Sequence, residues 1–154
     1  MAAVVSMLIS LNMLEMGSSN KDNGGMTLDR GGLTLGGYQR AAMGTCLPES
    51  ENFAYMMLNL VAELGELSGK VAKRIRKGRA LVDGNELVPE LDEVWEDWSE
   101  FESGLRSEAG DVLWQLSGLC SVLGWDLEEV ARDNLAKLAD RRERGKIDGE
   151  GDRR

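Results

Sequence analysis

The chain contains no histidine. That absence excludes Ser-His and Cys-His catalysis, histidine-ligated zinc and histidine proton shuttles. It also removes the di-iron carboxylate bundle, whose sites are built from Glu-x-x-His pairs. Cysteine is scarce: Cys46 and Cys120 lie far apart and outside any CxxC pattern. Both read as reduced, buried thiols of a cytoplasmic protein. Two prolines in 154 residues leave helices with little to interrupt them. Positive charge is also short, with 18 Lys and Arg against 27 Asp and Glu and a net charge of −9. A chain of that charge does not attract a nucleic-acid polymer by bulk electrostatics. A small phosphorylated ligand stays compatible if metal cations neutralise its site locally. No run is long and apolar enough to span a bilayer, so no membrane partner is expected. Residues 2–14 are moderately apolar, but Asn12 interrupts them and no basic segment precedes them. They make a poor secretory signal.

What is present is helical periodicity. Residues 1–32 stand apart, because the stretch 17–32 is rich in Gly, Ser, Asn and Asp. They read as a flexible leader, with Met26 as an alternative start, or as an arm that packs on a partner subunit. A short first helix is expected over residues 35–45, followed by a break at Pro48 and a cap at Ser50 or Asn52. A second runs over residues 51–77, where Phe53, Met57, Leu60, Leu64, Leu67, Val71 and Ile75 form one apolar stripe. Residues 78–89 read as a loop without convincing β-alternation. An acidic extra helix then carries Leu91, Val94, Trp98 and Phe101, weakened at Ser103 and Gly104. A third main helix spans residues 105–123, and Asp126 opens a fourth with a capping-box pattern to Glu129. Residues 146–154 read as a flexible tail, leaving a helical domain over 33–145 with an acidic insertion near 79–103.

Two acidic pairs stand out on these helices. Glu63 and Glu66 are three residues apart on the second helix, and Glu108 and Asp111 are three apart on the third. Residues so spaced share a helix side. At about 100° per residue, each pair lies at the edge of its helix's apolar stripe. Asn59 and Lys70 join the first pair, and Gln115 projects between the members of the second. If the stripes pack together, four carboxylates converge. They would repel one another unless divalent cations neutralise them. All-oxygen ligands favour hard ions, Mg²⁺ or alternatively Mn²⁺. The plainer alternative is a solvated acidic face, since 27 acidic residues produce many pairs by chance. On the fourth helix Asn134, Lys137 and Arg141 offer an amide and two cations suited to sugar and phosphate oxygens, or an ordinary solvated face. Trp114 projects about 160° from the Val112 stripe, which points to a subunit interface. Trp95 and Trp98 read as packing groups or as stacking groups over a base.

Four segments together resemble a known family. "NLVAELGELSGKV" from Asn59, "EAGDVLWQLSGLCSVLG" from Glu108, "LEEVARDNLAKLADRRERG" from Leu127 and "LGGYQRAAMGT" from Leu35 are similar to the MazG-like nucleotide pyrophosphohydrolases. The signature is an ExxE on one helix and an ExxD within a GDVLW-like string on the next. The resemblance implies an all-α, four-to-five-helix bundle of the all-α NTP pyrophosphatase type, completed by oligomerisation into a homodimer or homotetramer. It implies Mg²⁺-dependent hydrolysis of a nucleoside or deoxynucleoside triphosphate to monophosphate and pyrophosphate, in a nucleotide-pool house-cleaning role. By position, Glu63, Glu66, Glu108 and Asp111 would be the metal ligands and catalytic carboxylates. Asn134 and Lys137 would contact the nucleotide, with Lys70, Lys73 and Arg141 as further phosphate contacts. Two departures stand out: a long gap between Glu66 and Glu108, and Gln115 where relatives often have Tyr. The competing reading is a non-catalytic helical module that binds a nucleotide or a protein.

Overall fold

The computed structural model describes residues 32–91 and 94–146. The expected leader, apart from Gly32, and the tail beyond Lys146 lie outside the described residues. In chain order the elements are α1 (Leu35–Met43), a 3₁₀ turn (Pro48–Ser50), α2 (Phe53–Arg76), β1 (Ala80–Asp83), β2 (Glu86–Pro89), α3 (Trp95–Val122) and α4 (Leu127–Glu143). The all-α class holds, with one small hairpin added. Among the described residues no helix is long and apolar enough to cross a membrane.

The helix ends follow from local chemistry. Asn52 caps α2 by accepting from the Tyr55 amide at 2.9 Å. Asp126 Oδ1 caps α4 by accepting from the amides of Glu128 and Glu129. The helices α2, α3 and α4 each end on a glycine at positive φ: Gly78, Gly124 and Gly145. In each case the paired 5→2 and 6→1 backbone bonds of a Schellman motif close the last turn.

Packing centres on the seam between α2 and α3, with α1 laid against α3. Met56 is fully buried in this seam and fits over Gly118. A Cβ at position 118 would collide with the Met56 thioether. Burying a methionine side chain of this kind contributes about 1.5–3 kcal/mol. Gln39 ties the helices together through its buried amide. Its Nε2 donates to Ser121 Oγ and the Trp125 carbonyl, each at 3.0 Å, and its Oε1 accepts from the Leu127 amide at 2.8 Å. One side chain of α1 thereby fixes the corner between α3 and α4.

Several expectations are corrected. The segment 78–89 is an antiparallel hairpin in which Asp83 pairs with Glu86, not a loop. Gly84 at φ 62° supplies the left-handed backbone that a two-residue turn needs, and the Leu-Val pairs on either side make the strands. The acidic helix and the third main helix are one 28-residue helix, unbroken at Gly104. The glycine costs about 1 kcal/mol in a helix interior, and Lys70 passes close by: a Cβ would stand 3.2 Å from its ammonium nitrogen. Of the expected α2 stripe, Leu60, Leu67 and Val71 are half-buried, whereas Phe53, Met57, Leu64 and Ile75 are exposed. Within the chain α2 turns its Met56, Glu63 and Lys70 edge inward. Trp114 also touches α1: its indole N–H donates to the Ala42 carbonyl and Thr45 Oγ1 at 3.2 and 3.0 Å. Cys120 is buried as expected, but Cys46 is only half-buried; both are free thiols.

Candidate metal and nucleotide site

The α2–α3 seam brings three of the four expected carboxylates together. One oxygen each of Glu63, Glu66 and Glu108 lies within 4.8 Å of the others. Their burial differs: Glu108 is buried, Glu63 half-buried and Glu66 exposed. Asp111 is exposed, one helical turn beyond Glu108, and does not join that tight group. Its charge is nonetheless felt there. Burial pushes the Glu63 carboxyl above the usual range, reinforced in turn by Glu66, Asp111 and Glu108 and offset in part by a hydrogen bond. That bond is donated by Asn59 Nδ2 to Glu63 Oε1 at 3.0 Å. Carboxylates held so close raise each other's affinity for protons or cations.

Lys70 supplies the local positive charge. Its Nζ is 2.8 Å from Glu108 Oε1 and donates to the Gly104 carbonyl at 3.5 Å. Beyond it opens a groove of about 500 Å³ lined by Lys70, Arg74, Arg79, Asp97, Glu100 and Phe101, among others. The Arg74 guanidinium lies 4.9 Å from the Phe101 ring centre and 5.9 Å from that of Trp98. Trp98 is 3 % exposed. It therefore packs beneath the arginine and does not present a face for a base, whereas Trp95 is exposed.

The remaining expected residues fall elsewhere. Lys73 is exposed towards the C-terminal end of α2, and Arg141 is half-buried in the last turn of α4. Asn134 and Lys137 line a separate groove of about 790 Å³, together with Leu113, Leu116, Trp125 and Val130. None of the four carboxylates lines that groove. The Lys70 groove beside the acidic set and the groove of the α4 pair are thus different.

Two residues near the carboxylates carry more than the sequence pattern suggested. Burial and the charge of Asp111 raise the Tyr38 phenol, which places α1 beside the acidic edge. Gln115, two turns beyond Glu108, is 4 % exposed, and its Oε1 has no hydrogen-bond partner among the described residues. Tyr38 lay within the first-helix segment, but nothing in its spacing marked it as neighbouring Asp111.

Comparison with known proteins agrees with this architecture. The family model described as "MazG nucleotide pyrophosphohydrolase domain" matches residues 51–145. The chain is similar to "Gene 37 protein" of Mycobacterium phage L5, 33% identical over 104 residues, covering 68% of this chain and 78% of the phage protein. No solved structure matches it significantly. With the family model covering more than half the chain and spanning the helices that carry both acidic pairs, the protein belongs to the MazG nucleotide pyrophosphohydrolase family.

Proposed function

We propose that this protein is a Mg²⁺-dependent nucleoside triphosphate pyrophosphohydrolase, converting a (d)NTP and water to the (d)NMP and pyrophosphate in a cytoplasmic nucleotide-pool house-cleaning role. The observation that carries the reading is the convergence of Glu63, Glu66 and Glu108 from two helices of a MazG domain. Glu63, Glu66, Glu108 and Asp111 would hold the ion, Mg²⁺ or alternatively Mn²⁺, and all-oxygen donors suit both. A bound ion would polarise the phosphates and ease ionisation of a water molecule.

The chain's own groups supply the rest. Asn59 orients Glu63 through its amide. Lys70 stands beside Glu108, with Arg74 and Arg79 along the adjoining groove, so cations flank the acidic set on one side. Lys73 and Arg141 remain assigned as peripheral phosphate contacts. Asn134 and Lys137 are assigned to the nucleotide of a neighbouring copy, in a homodimer or homotetramer. Two exposed apolar sets support that assembly: Leu58, Val61 and Leu64 on α2, and Val130, Leu135 and Leu138 on α4.

The test is incubation of purified protein with each common NTP and dNTP, in Mg²⁺ and in EDTA, with products separated by ion exchange. The expected products are monophosphate and pyrophosphate, formed only with Mg²⁺. Diphosphate and phosphate would contradict the bond assignment. Nucleotide binding without turnover would favour the non-catalytic module.

A further inference from the structure

Among the four acidic groups at the α2–α3 edge, Glu108 is the one drawn furthest out of solvent, with its side chain 11% exposed. A carboxylate so placed needs a counter-charge. Lys70 provides it at 2.8 Å, and the fold makes room for it. Gly104 leaves the ammonium its space, since a Cβ there would stand 3.2 Å from Nζ, and the Gly104 carbonyl accepts its second bond at 3.5 Å. The lysine also borders the open groove shared with Arg74, Arg79 and Phe101, and 40% of its side chain is exposed. It therefore has somewhere to go if it leaves Glu108.

We infer that Lys70 is an internal counter-ion that competes with the divalent cation for Glu108, so that ion binding displaces its ammonium towards the basic groove. The inference rests on the metal-site reading proposed above. An ammonium in contact with Glu108 Oε1 and a dication drawing on the same carboxylate repel each other. The Glu108 charge is consequently offset in the ion-free protein, and the cation must break the Lys70–Glu108 pair to enter. Once displaced, the ammonium is available for the phosphate contact assigned to it.

Isothermal titration of Mn²⁺ into the full chain, without nucleotide, tests this. Wild type is compared with Lys70→Met, Lys70→Gln and the exposed control Lys77→Met, with folding followed by circular dichroism. Both Lys70 variants are expected to bind Mn²⁺ roughly 3- to 10-fold more tightly than wild type, while Lys77→Met stays within about 2-fold. Wild-type or weaker affinity in the folded Lys70 variants would overturn the inference while leaving the metal site standing. If wild type and all variants take up no Mn²⁺, the metal-site reading falls and the inference with it. The two Lys70 variants differ in polarity, so one retains the test if the other does not fold.

Discussion

The α2–α3 seam and α4 are both built from amphipathic helices, yet only the seam finds its partner within the chain. The seam buries Met56 and Glu108, and it gathers three carboxylates. Among the residues of α4 only Leu127 is buried, while Leu135 is 65% exposed. Its Asn134 and Lys137 border a groove that the carboxylates do not share. The contrast suits the proposal that the fold supplies the acidic half of the site and that a second copy would supply the other half. An apolar face left bare beside polar residues suited to a ligand is the expected signature of a site completed by another copy.

Several perturbations would break or sharpen this contrast. The largest effect is expected at the seam: Glu108→Gln should lower turnover by on the order of 10²–10³-fold while the far-ultraviolet circular dichroism stays native. Steady-state rates at saturating Mg²⁺ measure it.

A site divided between chains, as proposed, predicts complementation. Glu108→Gln and Lys137→Ala proteins should each be weak alone. After subunit exchange an equimolar mixture should regain about a quarter of wild-type activity if the enzyme is a dimer with shared sites. No recovery would place Lys137 in its own chain's site or outside any site.

The two regions should also differ in stability. Gly118→Ala forces Met56 out of its place and should cost about 1–3 kcal/mol in denaturant unfolding. Leu135→Ser should leave monomer unfolding within about 0.5 kcal/mol but reduce assembly, as light scattering would show.

The smallest effect concerns pH. The folded-state pKa of Glu63 is raised, so the metal-free folded protein binds more protons than the unfolded chain just above the ordinary glutamate range. The Glu63 contribution to metal-free stability therefore falls as pH rises through its elevated pKa. Saturating Mg²⁺ should flatten that dependence in thermal melts, and an unchanged slope would argue against ion binding at Glu63.

Much of this was legible in the sequence because helix periodicity and caps are local. Asn52, Gly78, Gly124 and Asp126 marked helix ends within a residue or two of where they fall. The acidic pairs were legible through their spacing beside apolar stripes, and three of the four carboxylates meet. What was lost depends on tertiary contact. Gly104 looked like a break, whereas its carbonyl accepts from Lys70, a residue 34 positions away. The buried edge of α2 was misjudged because two apolar edges compete in that helix, and only the partner α3 decides between them. The hairpin was within reach, since Gly84-Asn85 sits between Leu-Val pairs, but four-residue strands give little alternation to read. Trp114 pointed away from its own stripe, and the hydrogen bond it donates to α1 on that side was not legible in its spacing.

The most direct test of the central claim is the rate of pyrophosphate release from a preferred triphosphate, measured for wild type in Mg²⁺, wild type in EDTA, and Glu66→Ala in Mg²⁺. The account predicts release from the first alone, with both proteins equally folded. Release from Glu66→Ala at the wild-type rate, or release that EDTA leaves untouched, would contradict it.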